Sequence, residues 1–461
     1  MLLGSIFEPF IHSSPLSIMS RALLERVLAS ESLDALFRQH AEHQYTRELL
    51  FSSVVDLMSL VVCGKHGTVR AAYRAQRERL PVSLTSVYNK LAGIETDVSA
   101  ELVRYSAGQL QPVLRELGAG LPEPIAGYHL RILDGNKLAG TQHRLPETRD
   151  DAAAPLPGQT LAILEPSWML ISDVLPWEDA YVQERALLDY IVAKIRERDL
   201  WLADRNFCVR RFLLQIAARD AFFIIREHAQ FTWNCNTRLR RKGRTPAGTV
   251  LEQRLWFTED DGQVYYLRRV VLRLDEPTRE GETEIVLLTN LPDDVYAQTV
   301  AEAYRKRWTI EGAFHELTET LACEVDTLCY PKAALFAFCV AVVAYNMQSV
   351  LKGALRAVHG APKVQEEVSA YYLADEIAGV YRGMMIAIPA PHWEAFRTLA
   401  VAEFAALLRD LAAKVDLVRL QKARSNPKKP KRKRRYNRKR PHVSTFRLLQ
   451  GRKGTRQGTK Q

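Results

Sequence analysis

The chain has 461 residues, 47% hydrophobic and 25% charged, so it can bury a large core and is not an intrinsically disordered protein. Its net charge is +11, but residues 421–461 hold 17 Lys and Arg and no Asp or Glu, which leaves the rest of the chain at −6. A basic excess confined to one end indicates a polyanionic partner, most simply nucleic acid.

Cysteine spacing and hydropathy exclude several classes. The six cysteines form no CxxC pair and fit no zinc ligand set, as expected in a reducing compartment. The N-terminus carries Glu8 and lacks the basic region of a signal peptide. The longest apolar run, residues 333–345, is shorter than the roughly 18 residues that a membrane span needs. We therefore expect a buried helix and a cytoplasmic protein, associated with the nucleoid if the host is a bacterium.

Residues 1–125 are predicted to form a helical N-terminal region. The stretches "GTVRAAYRAQ" and "VSLTSVYNKLAGI" indicate two short helices around a break, and Ser83 can cap the second. Such a pair could be a helix-turn-helix that docks in a DNA groove. It could equally be part of an ordinary helical bundle, because the motif has no fixed signature.

The pattern changes to strands at His129, and residues 126–228 are predicted to form the first part of an α/β core. The stretch "YHLRILDGNKLAG" predicts a strand running into a turn at Asp134, and "TLAILEP" and "SWMLISDVLP" predict two more. A helix over "YVQERALLDYIVAKIRER" precedes the buried strand "LWLADRNF", which ends at Asp204. A further helix and strand follow, and this alternation favours a mixed sheet.

The remaining chain divides into four predicted segments. Residues 229–295 contain three or four strands with turns near Gly262 and Gly281, and no good helix. Residues 296–360 complete the core, residues 361–420 form C-terminal helices, and residues 421–461 form a basic tail that we expect to be disordered without a partner.

The stretch "YRKRWTIEGAFHEL" predicts a helix with an unusual polar edge. At 100° per residue, Tyr304, Arg307, Glu311 and His315 form one narrow stripe beside the apolar one. The stripe could be an ordinary surface edge with an Arg307–Glu311 pair, or it could be functional.

Three carboxylates stand where a metal site could form. Asp134 and Asp204 follow buried strands, and the carboxyl ends of strands line the functional crevice of open α/β sheets. With Glu311 they would offer the hard oxygen ligands that suit Mg²⁺ or Mn²⁺. Two such ions can drive phosphodiester displacement. An isolated Asp at a strand end is, however, often only a turn residue.

Together, "LDGN", "LADRNF", the β-rich insertion and "YRKRWTIEGAF" resemble the DDE transposases of the insertion-sequence-4 group. The group signature places Tyr, Arg, Glu and Lys at spacings that Tyr304, Arg307 and Glu311 match. The resemblance implies a ribonuclease-H-like mixed sheet core with a β-rich insertion, flanked by helical N- and C-terminal regions. It implies that Asp134, Asp204 and Glu311 are the catalytic residues and the ligands of two Mg²⁺ or Mn²⁺ ions.

The resemblance also implies DNA contacts. Tyr304 and Arg307 would bind phosphates of the transposon end. In some relatives an insertion Trp stacks on a flipped base; Trp256 is the first candidate here and Trp233 the second, although a core Trp is the alternative. The tail would add non-specific phosphate contacts through basic residues such as Lys428, Lys431, Arg432, Arg434 and Arg435. An RNA-binding tail or a localisation signal remains open.

One position departs from the signature, because Thr318 stands where the group has Lys. The lost cation could be supplied by His315, by Arg205 or by the tail, or the protein could be a poorly active copy.

We therefore expect a DNA transposase that cuts at transposon ends and joins the 3′-hydroxyl to target DNA, with duplex DNA as partner. A homodimer in a synaptic complex is consistent with the resemblance. The alternatives are a catalytically decayed or regulatory DNA-binding protein and a ribonuclease-H-like nuclease.

Overall fold

The computed structural model describes residues 3–44, 48–278, 281–423 and 442–458. The N-terminal region is helical, as expected, and its apolar faces pack into one large core. Ser83 caps α6, since its Oγ accepts a hydrogen bond from Ser86 N at 3.1 Å. The helices are α1 (Glu8–Ser13), α2 (Pro15–Val27), α3 (Ser30–His40), α4 (Phe51–Val62), α5 (Val69–Ala75), α6 (Leu84–Gly93) and α7 (Thr96–Glu116).

The middle of the chain forms a mixed α/β core. The helix predicted between the third and fourth strands is much shorter than expected, because a 3₁₀ turn over 184–187 precedes it. The elements are β1 (His129–Lys137), β2 (Ala154–Leu156), β3 (Gln159–Glu165), β4 (Leu170–Trp177), α8 (Leu188–Val192), β5 (Asp199–Ala203), α9 (Arg210–Ala217) and β6 (Phe222–Arg226).

The β-rich insertion extends the core sheet. Its four strands are β7 (Arg240–Thr245), β8 (Gly248–Thr258), β9 (Val264–Leu274) and β10 (Glu284–Thr289). Because β10 pairs antiparallel with β6, the described residues form one nine-stranded sheet in the order β4-β3-β1-β5-β6-β10-β9-β8-β7. Within this nine-stranded sheet, the β1–β5 and β5–β6 pairs are parallel and the other pairs are antiparallel. The α/β fold class, with its β-rich insertion and helical flanking regions, is confirmed.

The sheet has two faces with different cores. On the main-core face, Leu130, Ile132, Leu200 and Leu202 pack with the N-terminal helices and with the helices that follow the insertion. On the second-core face, alternate strand residues such as Leu133 pack with α8 and α9. Successive side chains of one strand point to opposite faces of the sheet. Within a regular strand, the parity of a residue, that is, whether its number is odd or even, therefore shows which face it lies on.

After the insertion, the described residues form helices and one short strand, β11. Helix α12 is long and apolar enough to cross a bilayer, but 94% of its most apolar stretch is buried inside the protein, as expected for a core helix. The elements are α10 (Ala297–Tyr304), α11 (Trp308–Glu319), α12 (Pro331–His359), α13 (Ala361–Glu367), α14 (Ala370–Ala387), α15 (Pro391–Glu394), α16 (Val401–Ala412), β11 (His442–Ser444) and α17 (Thr445–Gly458).

The expectation of a disordered tail is wrong for residues 442–458. Strand β11 pairs in parallel with β2, and Asp179 anchors the segment by accepting hydrogen bonds from Ser444 Oγ and Arg447 Nε, both at 2.7 Å. Composition could not show this, because a few specific contacts hold the segment rather than an apolar core. Residues 424–441, which include Lys428, Lys431, Arg432, Arg434 and Arg435, lie outside the described residues.

Candidate active site

Asp134 lies on β1, and Asp204, whose backbone is still extended, directly follows the neighbouring parallel strand β5. The β1–β5 ladder pairs residues 70 positions apart, ending with Ile132 and Leu202. Asp134 and Asp204 keep that spacing two residues further on. Both share the parity of Ile132 and Leu202, so both belong to the main-core face. The pattern of buried strands therefore brings the two carboxylates together where the β1–β5 pairing ends.

The turn predicted at Asp134 is wrong, because β1 continues to Lys137. Asp134 pairs with Ala162 and Lys137 with Gln159 of β3. The antiparallel partner β3 thus continues to pair with β1 beyond the point where the parallel partner β5 ends. Asp204 instead leaves the sheet and caps the 3₁₀ turn over 205–207, since its Oδ1 accepts a hydrogen bond from Asn206 N at 2.7 Å.

Arg307 joins the strand carboxylate to the helix carboxylate. Its Nη1 donates to Asp134 Oδ2 at 3.0 Å, and its Nη2 donates to Glu311 Oε1 at 2.6 Å. The side chains of Arg307 and Asp134 are 13% and 18% exposed, whereas that of Glu311 is 50% exposed. The protein places the guanidinium between the two carboxylates and leaves the outer one open to solvent.

The single polar helix stripe predicted over residues 304–315 is wrong. Helix α10 ends at Tyr304, a 3₁₀ turn spans 305–307, and α11 begins at Trp308. The change of helical pitch turns Tyr304 inward, where it is only 3% exposed. Tyr304 is thus buried in this arrangement, whereas Arg307 and Glu311 keep the expected spacing of four residues.

A fourth carboxylate, Glu184, joins this cluster, and the sequence analysis missed it. A β-carbon at residue 135 would overlap Glu184 Oε1, so Gly135 leaves the space that this carboxylate occupies. Glu184 Oε2 accepts a hydrogen bond from Asn206 Nδ2 at 3.3 Å. Glu184 lies in a 3₁₀ turn with no recognisable motif, so the one available signal was the glycine directly after Asp134.

Electrostatic coupling ties these groups together. Burial raises the pKa of Asp134 to about 7; Arg307 opposes this shift, and the nearby Asp204 and Glu184 carboxylates add to it. Burial also raises the pKa of Glu184, and Asp204 contributes in the same direction. Acids that raise one another's pKa form a site that would favour a bound cation.

Tyr304 lies against Arg307 beneath this cluster. Burial raises the pKa of the Tyr304 phenol to about 12, and the Arg307 guanidinium opposes the shift. Burial would lower the pKa of Arg307, but Tyr304, Asp134 and Glu311 raise it above its ordinary value. Arg307 is therefore a permanently charged group held by three neighbours.

The donor chemistry of the aspartate pair fits Mg²⁺ or Mn²⁺, which prefer carboxylate oxygens. Within the described ranges, however, no three His, Cys, Asp or Glu side chains are gathered closely enough to hold an ion together. Glu311 is bonded to Arg307, which also bonds Asp134. The carboxylate oxygens are thus of the type that a divalent ion prefers. Glu311 could act as a third ligand only if Arg307 releases it.

Thr318 and the residues that could supply the missing cation differ in exposure and in hydrogen bonding. Thr318 Oγ1 donates to Phe314 O of its own helix at 2.9 Å, so its hydroxyl is already used. Arg205 donates to Glu282 at 3.1 Å, although its side chain is 45% exposed. His315 is exposed on α11.

The two candidate tryptophans are not beside the carboxylates. Trp256 lies on β8, opposite Tyr266 of β9 and five strand positions from β1, or about 24 Å across the sheet. Trp233 donates from Nε1 to Glu227 at 2.6 Å and lies under the Arg269 guanidinium. Trp233 is thus engaged with Glu227 and Arg269, whereas Trp256 is half-buried on the main-core face.

Comparison with known proteins matches a family model to part of the chain and finds similar solved structures. No match was found among curated protein sequences. The chain is similar to a piggyBac transposase in the cryo-EM structure of a synaptic complex with hairpin DNA, with 11% identity, a TM-score of 0.42, and coverage of 86% of this chain and 84% of that chain. Residues 165–347, which include Asp204 and Glu311 but not Asp134, match the family model of the transposase DDE domain.

Proposed function

We propose that this chain is a DNA transposase that cuts at transposon ends and joins the freed 3′-hydroxyl to target DNA. The observation that carries the proposal is the level, same-face placement of Asp134 and Asp204, with Arg307 linking Asp134 to Glu311. The match of residues 165–347 to the transposase DDE domain supports the same reaction class. The insertion-sequence-4 group is our proposal for the subfamily.

Asp134 and Asp204 would hold divalent metal, Mg²⁺ or Mn²⁺, and Glu311 would complete the set for two ions. Bound metal of this kind lowers the pKa of an attacking water and stabilises the leaving oxygen of a phosphodiester. The side chains contribute hard oxygen ligands on a rigid sheet, which fixes their separation. Glu184 would supply further negative charge from the other side of Gly135.

Arg307 would exchange its carboxylate partners for DNA phosphate. A guanidinium binds phosphate oxygens as it binds carboxylates, through paired N–H donors. An incoming phosphodiester would therefore draw Arg307 away from Glu311, the more exposed of its two acid partners. Tyr304, buried against Arg307, would act as a positioning residue that keeps the guanidinium at the site.

A second candidate function is a regulatory or decayed DNA-binding protein. Thr318 favours it, since the side chain offers no cation and its hydroxyl bonds to its own helix. A nuclease that cuts without joining is the third. In each case duplex DNA would be the partner, in the cytoplasm, and a homodimer would bring two ends together.

The deciding experiment uses DNA that carries the sequences flanking this gene. The wild-type protein and Asp204→Asn are incubated with it in Mg²⁺ or Mn²⁺, and breaks and joined products are mapped. Asp189→Asn is the matched control, because Asp189 is an exposed acid on α8 that pairs with Arg211 at 3.2 Å.

Each outcome separates the candidates. Metal-dependent breaks at paired ends and joined products, present with Asp189→Asn and absent with Asp204→Asn, would support a transposase. Binding without breaks would favour a regulatory protein. Breaks without joining would favour a nuclease.

A further inference from the structure

The outermost strand of the sheet carries an unusual set of arginines. Strand β7 pairs only with β8, so its other side is an open edge. The segment that contains it reads "TRLRRKGRT". Arg238, Arg240 and Arg241 are exposed there, and we call these three residues the arginine strip.

The strip differs from its surroundings because its charges are not paired. Within the described ranges, none of its three guanidiniums makes an ion pair, although neighbouring cations of the same half-sheet do. The pairs are Lys242–Glu252 at 3.2 Å, Arg244–Asp275 at 2.6 Å, Arg268–Glu252 at 2.6 Å, Arg269–Glu227 at 2.8 Å, Arg273–Glu284 at 2.6 Å, and Arg254–Asp293. Three adjacent unpaired cations repel one another, so they suit an anionic partner.

The strip is held in a fixed position relative to the candidate active site. Lys242 forms a bulge between Arg241 and Gly243, and its carbonyl accepts a hydrogen bond from Gln298 Nε2 at 2.8 Å. Gln298 lies on α10, the helix that ends at Tyr304. This hydrogen bond connects the strip to α10, and the 3₁₀ turn that carries Arg307 directly follows that helix.

The register between β7 and β8 shows on which face of the sheet each arginine lies. Arg240 lies opposite Glu252, and Arg241 opposite Leu251. Arg240 thus lies on the main-core face, like Trp256 and the two aspartates, because opposed residues of paired strands share a face. Arg241 lies on the other face, so the two guanidiniums straddle the edge.

From this geometry we infer that the arginine strip binds the phosphate backbone of duplex DNA beyond the candidate active site. The surface suits phosphates rather than an apolar protein partner, since the described residues of β7 and β8 include no large exposed hydrophobic residue, and the exposed Val264 and Tyr266 lie on β9. Strand β7 is six strand positions from β1, or about 29 Å. Measured along duplex DNA this is roughly 8–9 base pairs. The assignment of DNA and this distance rest on the proposed function.

The test is a salt titration of DNA binding in EDTA, so that cleavage is not needed. Arg238→Gln/Arg240→Gln/Arg241→Gln is compared with Arg211→Gln/Arg244→Gln/Arg273→Gln on a duplex of about 30 base pairs. The control removes the same charge from three exposed arginines that each have an acid partner. Melting temperatures show that both variants are folded.

We expect the strip variant to bind DNA about 10-fold or more weakly at low salt, with the slope of log affinity against log salt smaller by about 3. The control should change the slope by less than about 1. Equal losses in the two variants would overturn the inference, because only net charge would matter. Unchanged binding with new self-association would also overturn it and would mean that the arginines protect the edge from pairing.

Two further results keep the proposals separate. A larger loss on duplex RNA than on DNA would overturn the choice of DNA. Strip-dependent DNA binding by a protein that never cleaves would leave this inference standing and remove the proposed transposase activity.

Discussion

The two halves of the nine-stranded sheet use charge in opposite ways. The core half gathers Asp134, Asp204 and Glu184 under partial burial, and Arg307 neutralises only part of that charge. Among its described residues, the insertion half is rich in arginines, most of them paired with acids, and three at its open edge make no ion pair. One continuous sheet thus carries an acidic cluster on one half and three unpaired arginines at the open edge of the other half.

The largest expected effect comes from removing the cation of the core half. Arg307→Ala should lower the free energy of unfolding by about 3 kcal/mol at pH 8, because Asp134 is left buried without its partner. The loss should shrink at low pH, where Asp134 is protonated and needs no cation. Urea unfolding at several pH values measures both effects.

Arg305→Ala is the matched control for Arg307. Arg305 lies in the same 3₁₀ turn but is exposed, and its removal should change stability by less than about 0.5 kcal/mol. A loss as large as that of Arg307→Ala would show that the turn, and not the ion pair, is responsible.

The second effect breaks the insertion half. Gly248 begins β8 at φ +152°, and a β-carbon there would overlap the carbonyl oxygen of Arg273 on the paired strand. Gly248→Ala should cost about 2 kcal/mol, because a backbone atom cannot move aside as a side chain could. Hydrogen exchange should rise in β7 and β8 but not in β1 and β5.

Gly262→Ala provides the comparison for Gly248→Ala. Gly262 has φ +81° in the β8–β9 hairpin but open space around it. Its variant reports backbone strain alone, so an equal cost at both positions would contradict the predicted overlap.

The paired aspartates and the Arg307–Glu311 spacing were predictable from the sequence, whereas Glu184 and the 3₁₀ turn that carries Arg307 were not. Buried strands with regular alternation fix the face of Asp134 and Asp204, and parallel pairing fixes their level. Glu184 reaches the site through an irregular turn, and Arg307 through a 3₁₀ turn that a uniform helical period cannot represent. The docking of residues 442–458 depends on contacts with Asp179, more than 260 positions away, which local patterns do not show.

The third effect concerns how much the buried Asp134 carboxylate lowers the free energy of unfolding. The pKa of Asp134 is about 7 in the folded protein and roughly 4 in an unfolded chain. A raised acid pKa means that the ionised form is disfavoured by folding, so this residue's contribution to stability falls as pH rises from about 4 to 7. Asp134→Asn removes that cost, offset in part by a weaker bond to Arg307.

Asp134→Asn should therefore raise stability by roughly 1–2 kcal/mol at pH 8 and have little effect near pH 4. Thermal melts across this range measure the difference between the variant and the wild type. A gain that does not depend on pH would show that the carboxylate charge is not its source.

The smallest effect tests the position that departs from the transposase signature. Thr318 is exposed near the end of α11, and its one described hydrogen bond to a main-chain oxygen is to Phe314 O. Thr318→Lys should change the free energy of unfolding by less than about 0.5 kcal/mol. It adds one cation on the helix of Glu311, so the salt slope of DNA binding should steepen by about 1. Thr318→Gln, which has a long side chain without charge, is the control. An equally steep salt slope with Thr318→Gln would assign the effect to side-chain length. An unchanged slope with Thr318→Lys would mean that residue 318 does not contact the DNA. The missing lysine would then be no argument for a decayed protein.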